Sequence, residues 1–137
     1  MKTKQSTRVL IVEDEIIAAK AIERSLASMG YEVVGIASSG GEAVRKVEET
    51  QPDVVLMDIK IKGPVDGVFT TQRVQTQFDI PVIYLTAMSD DETLKRILHS
   101  KPYGYIVKPF RDAELYATIE GALGRHELRK KHPDGEA

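Results

Sequence analysis

Four apolar runs in this chain each end in a residue that could do chemistry. Arg8-Val9-Leu10-Ile11-Val12 leads into Glu13-Asp14-Glu15, and Asp53-Val54-Val55-Leu56-Met57 leads into Asp58. Pro81-Val82-Ile83-Tyr84-Leu85 is closed by Thr86, and Tyr103-Gly104-Tyr105-Ile106-Val107 by Lys108-Pro109. Clustered carboxylates repel and raise one another's pKa unless a cation joins them. A hard divalent ion relieves this: Mg²⁺ keeps several waters beside one or two carboxylates, and Mn²⁺ suits the same oxygen ligands. An aspartate can also attack a phosphoryl group to give an acyl phosphate. The charge that develops then calls for a metal, a cation and hydrogen-bond donors. Asp58 fits the nucleophile, Lys108 the cation and Thr86 the donor. Plainer readings exist for each: Asp58 as a turn or capping residue, Asp14 as a helix N-cap, Thr86 as a hydroxyl bonding its own backbone, Lys108 as a solvated lysine. Their shared position at the ends of successive apolar runs favours the chemical reading.

The runs have the length and β-branching of strands buried on both faces. Val33-Val34-Gly35-Ile36-Ala37 reads as a further strand, second in order. Helices fall between them. Ile22, Leu26 and Met29 recur at helical spacing until Gly30. Ser39-Gly40-Gly41-Glu42 has the form of a capping box opening a helix to about Thr50. A third helix runs from Asp66-Gly67 to near Gln77. Ser89 and Glu92 repeat the capping pattern before a helix with Leu94, Ile97 and Leu98 on one face, and a last helix carries Leu115, Ile119 and Leu123 on a stripe. Alternation of this kind predicts parallel βαβ units with right-handed crossovers, an α/β doubly wound sheet of five strands and five helices. Parallel strands deliver their carboxyl ends to one edge, where open α/β sheets bind ligands. Alternation alone leaves the strand order open.

Composition narrows the classes. With 137 residues the chain suits one domain with a real core. A formal net charge of −2 gives no reason to expect direct nucleic-acid binding. There is no cysteine, which excludes disulfides and thiolate chemistry and fits a cytoplasmic setting. No apolar run is long enough to cross a membrane, and Val9-Leu10-Ile11-Val12 is too short for the core of a signal peptide. His99, His126 and His132 lack a second ligand at metal spacing and read as solvated.

At this point the sequence resembles the receiver domain of two-component response regulators. The resemblance covers roughly residues 8–123 and rests on Val9-Leu10-Ile11-Val12-Glu13-Asp14-Glu15, Pro52-Asp53-Val54-Val55-Leu56-Met57-Asp58, Asp66-Gly67, Pro81-Val82-Ile83-Tyr84-Leu85-Thr86-Ala87 and Gly104-Tyr105-Ile106-Val107-Lys108-Pro109-Phe110. It implies a flavodoxin-like sheet in order 2-1-3-4-5. It also implies that Asp58 accepts phosphate from a phosphohistidine of a sensor histidine kinase, and that Glu13, Asp14, Asp58 and the backbone carbonyl of Lys60 hold Mg²⁺. Lys108 and Thr86 would contact the phosphoryl oxygens, Thr86 and Tyr105 would form the switch, and Lys60 and Met88 would tune phosphoryl lifetime. The Lys108–Pro109 bond would be cis. Phosphorylation would reshape the face of the fourth helix, fifth strand and fifth helix toward an output protein or linked domain, and the family often pairs as a homodimer through that face. Such a protein turns over no external substrate and catalyses only its own phosphoryl uptake and loss.

This sequence departs from the family after Asp58: the usual proline position holds Lys62, and the Asp-Gly pair arrives one residue late. The loop is read as one residue longer, which loosens the placement of the Lys60 carbonyl. Glu13 occupies a position where the family also uses Asp. The expected organisation is an N-terminal tail over 1–7, a receiver over 8–124, and a helix extension and tail over 125–137. The basic run from Arg125 to Lys131 suits a helix carboxyl end. The alternatives are a receiver excised from a larger sensor or hybrid kinase, an aspartate-nucleophile phosphatase, a flavodoxin-type FMN carrier and a receiver-like scaffold that takes no phosphate. The phosphatase would need an acid at Lys60. Glu13-Asp14-Glu15 would repel the FMN phosphate, and the complete set of acids, hydroxyl and lysine speaks against the scaffold.

Overall fold

The computed structural model describes residues 7–59, 67–87 and 91–131. Ten elements alternate along the chain: β1 (Arg8–Val12), α1 (Ile16–Ser28), β2 (Glu32–Ala37), α2 (Gly40–Thr50), β3 (Val54–Asp58), α3 (Gly67–Gln77), β4 (Val82–Thr86), α4 (Asp91–Ser100), β5 (Gly104–Val107) and α5 (Asp112–Lys131). The strands form one parallel sheet in the order β2-β1-β3-β4-β5.

Strand alternation sends successive side chains to opposite faces, and both faces are covered here. Val9 and Ile11 of β1 meet Leu26 of α1 and Leu115 and Ile119 of α5 on one side. Leu10 and Val12 face the other way, with Val47 of α2, Val74 of α3 and Ile97 of α4. That two-sided burial explains the unbroken apolar runs of β1, β3 and β4, each buried side chain of this size stabilising the fold by roughly 1.5–3 kcal/mol. β5 is an edge strand in which only Ile106 is buried.

Local signals account for most helix limits. Ser39 caps α2 by accepting from the Glu42 amide at 3.2 Å. The Glu42 carboxylate reaches Ser38, accepting from its amide at 2.8 Å and its hydroxyl at 3.1 Å, and so closes the capping box one residue early. The expected apolar face of α4 is corrected: Ile97 is buried but Leu98 points outward, 62 % exposed. Ser89 lies outside the described residues. The reading of His126 as solvated is also corrected. Its Nε2 lies 2.9 Å from the Asp79 carbonyl and 3.2 Å from Asp79 Oδ1, and its ring meets Tyr103 edge-on at 5.5 Å. The last turns of α5 continue past Ala122, the final buried residue of the helix, and these contacts tie them to the connections that precede β4 and β5. His99 is exposed, as read.

Gly67 fixes where α3 begins. A Cβ there would lie 2.7 Å from the Asp58 carbonyl oxygen and 2.8 Å from the Ile59 Cα, and the Gly67 amide donates to the Ile59 carbonyl at 3.0 Å. Whatever the length of the preceding loop, α3 starts against the end of β3. Both neighbours are backbone and cannot swing aside. Gly67→Ala is therefore expected to destabilise the protein by about 1–3 kcal/mol and to displace Asp58, read as a lower urea midpoint.

Candidate functional site

The strand order reverses beside β1, so a crevice opens outside the carboxyl ends of β1 and β3. The register places the candidate residues on its rim. Val12 pairs with Met57, so Glu13 and Asp58 follow side by side. Asp58 pairs with Leu85, one residue before Thr86, and Thr86 pairs with Val107, one residue before Lys108. Backbone bonds continue this order beyond the strands, from the Glu13 amide to the Ala37 carbonyl and from the Lys108 amide to the Thr86 carbonyl, both at 2.8 Å.

Side chains converge accordingly. Carboxylate oxygens of Glu13, Asp14 and Asp58 all lie within 4.8 Å of one another. Lys108 Nζ stands 3.3 Å from Glu13 Oε1 and 3.4 Å from Asp58 Oδ2. Glu13 is buried, 2 % exposed, and its second oxygen accepts from the Glu15 amide at 3.2 Å. That amide is a site group that inspection of side-chain types does not reveal. Asp14 is free to face the cluster because Glu15, not Asp14, is the N-cap residue of α1. Thr86 is buried at the rim. Tyr105 sits on β5, 44 % exposed, on the same side of the strand as the exposed Val107. The Lys108–Pro109 bond is cis. Lys60 and Met88 lie outside the described residues.

Among the described residues, negative charge outweighs positive at this site. Burial, followed by the negative charge of Asp58, raises the Glu13 pKa above its ordinary value. Burial alone would lower the Lys108 ammonium, but the charges of Asp58 and Glu13 outweigh it and hold the lysine above its usual pKa. Among the described residues, then, one lysine contacts two of the three clustered acids. Oxygen donors at this spacing, with one lysine to offset them, fit a hard divalent cation. Glu13→Gln removes a buried charge that the fold disfavours. It is expected to stabilise the metal-free protein by about 1 kcal/mol, raising its urea midpoint, while weakening divalent-cation affinity measured by titration.

Comparison with known proteins supplies the context. The family model described as "Response regulator receiver domain" matches residues 9–120. The transcriptional regulatory protein PdtaR of Mycobacterium tuberculosis is 36% identical over 118 residues, covering 86% of this chain and 57% of the relative. The response regulator GacA of Pseudomonas viridiflava is 38% identical over 114 residues, covering 82% of this chain and 53% of the relative. The chain spans about half the length of these curated relatives. Among solved structures, the signal receiver domain of a modulated diguanylate cyclase from Desulfovibrio desulfuricans superposes with a TM-score of 0.84 at 38% identity, covering 89% of this chain and 97% of that one. The N-terminal domain of a response regulator/sensory box/GGDEF protein from Carboxydothermus hydrogenoformans does so at 0.80 and 36%, covering 90% and 98%.

Proposed function

The chain belongs to the response regulator receiver domain family, and from that membership we propose that it is a phosphorylation-driven signalling switch whose acceptor is Asp58. The observation that carries this reading is the Asp58 carboxylate at a strand end, 3.4 Å from Lys108 Nζ and within 4.8 Å of the oxygens of Glu13 and Asp14. An Asp58 oxygen attacks the phosphorus of a phosphohistidine on a sensor histidine kinase. The P–O bond forms as the P–N bond breaks, and the imidazole leaves with the bonding pair and takes up a proton. Lys108 neutralises charge on the phosphoryl oxygens, and the Thr86 hydroxyl donates to one of them. Glu13, Asp14, Asp58 and the Lys60 carbonyl would hold Mg²⁺, or Mn²⁺, which supplies further charge neutralisation when bound. The protein acts only on its own phosphoryl group, its lifetime set in part by Lys60 and Met88.

The exposed Ile16 and Ile17 follow Glu15 directly, and the exposed Phe69 lies two residues past Gly67. These side chains give the rim an apolar surface for a docked kinase. Phosphorylation adds roughly −1.5 to −2 charge at the rim. Thr86 moves toward it and the exposed Tyr105 ring turns inward, so the surface of α4, β5 and α5 takes a second shape. An output protein or a linked domain reads that surface, which is also where a homodimer would form. Direct nucleic-acid contact is not part of the proposal. The receiver unit spans 8–124 and the protein works in the cytoplasm; no helix of the described residues is long and apolar enough to cross a membrane. The curated relatives are about twice as long as the matched region, which favours a second reading in which this unit is one module of a larger protein.

Beryllofluoride with Mg²⁺ tests the proposal. It is expected to bind wild type and to fail with Asp58→Asn; equal binding to both would refute it. Tyr105→Ala is expected to keep beryllofluoride binding within about twofold while losing most of the response of α4, β5 and α5 amides. A full response in that variant would remove Tyr105 from the switch.

A further inference from the structure

Polar groups hold the carboxyl end of α4. Among the described side chains of this helix the buried ones are Ile97 and Ser100, both in its second half. Ser100 Oγ donates to the Ile97 carbonyl at 3.0 Å, which uses its only proton. The Tyr84 hydroxyl, 2.7 Å from the same oxygen, is therefore the donor to it. Tyr84 is fully buried in β4, two residues before Thr86, and the buried Thr71 hydroxyl of α3 lies beside its phenol. A second link runs parallel to the first. Gln75 of α3 donates from Nε2 to the Lys101 carbonyl at 3.1 Å, and its Oε1 accepts from the Val82 amide at 3.2 Å. Lys101 ends the helix in the left-handed region, at φ 54°.

Phenylalanine would fill the Tyr84 site without needing a partner, whereas a buried hydroxyl must be satisfied. The hydroxyl thus makes the position of β4 depend on the position of the helix end. We propose that Tyr84, Ser100 and Gln75 form a fixed pivot: on phosphorylation α4 swings at its amino end, which follows the strand that carries Thr86, while residues 97–101 stay on β4. This rests on the proposed phosphorylation of Asp58. It makes Tyr84 and Ser100 positioning residues for the switch.

Amide exchange of the full chain, followed by NMR with and without beryllofluoride and Mg²⁺, tests it. In wild type the ligand is expected to change exchange at 91–95 and to leave 97–101 unchanged. Without ligand, Tyr84→Phe is expected to speed exchange at 97–101 about five- to tenfold, the loss of one hydrogen bond, relative to the slow core amides of β1 and β3. With ligand, the change then spreads along the whole helix. Ser100→Ala, which leaves Tyr84 in place, is expected to do the same. Equal ligand responses at 91–95 and 97–101 in wild type would overturn the pivot, as would unchanged 97–101 exchange in both variants. If the amides around Asp58 ignore beryllofluoride, the proposed function itself falls, and the ligand-free effect of Tyr84→Phe still reports whether the clamp exists.

Discussion

Asp58→Asn is expected to abolish phosphoryl uptake altogether. The amide lacks the anionic oxygen that attacks phosphorus, and no other side chain of the cluster is as well placed. Glu13 is buried with one oxygen bound by the Glu15 amide and the other by Lys108, and Asp14 has no lysine beside it among the described contacts. The fold should survive, because Asp58 lies at the end of β3 and its neighbours Val54 to Met57 supply the packing. Lys108 keeps Glu13 as a partner at 3.3 Å. Incubation with acetyl phosphate and Mg²⁺ should therefore give no adduct from a variant whose thermal transition stays within a few degrees of wild type.

Lys108→Ala has the second largest expected effect. Among the described residues the lysine is the cation that contacts both Glu13 and Asp58, and it offsets charge that grows on the phosphoryl oxygens as the bond to the donor breaks. Removing one preorganised group of this kind slows a reaction by roughly 100- to 1,000-fold. The nucleophile remains, so the adduct should form slowly and not be lost. The same change leaves three carboxylates facing one another, and the Glu13 pKa should rise further. Rates of acetyl phosphate uptake, measured by mass spectrometry over time, separate a slowed reaction from an absent one. An unchanged rate would remove Lys108 from the mechanism.

The strands that carry the site were legible because both faces of the sheet are buried. Val54 to Met57 must all be apolar, so the acid that follows stands out, and the same holds before Glu13 and Thr86. Edges and outward faces were less legible. Leu98 sits at a spacing from Ile97 that fits one helix face, yet only the neighbours of α4 decide which of the two points at Tyr84. His126 looked solvated because it lies in a polar stretch, and its partner Asp79 is 47 residues away in the chain. The basic run to Lys131 marked a helix that runs on, but no local pattern predicts that it meets that loop. The extra residue expected after Asp58 falls outside the described residues, but Gly67 shows how the chain returns: its missing Cβ lets α3 start on the backbone of Asp58 and Ile59.

The most direct test is the intact mass of the wild-type protein after acetyl phosphate and Mg²⁺, with the modified residue then located by fragmentation. The account predicts one added phosphoryl group, about 80 Da, on Asp58, and none when the divalent cation is chelated. An unmodified protein, or a phosphoryl group on any other side chain, would contradict it.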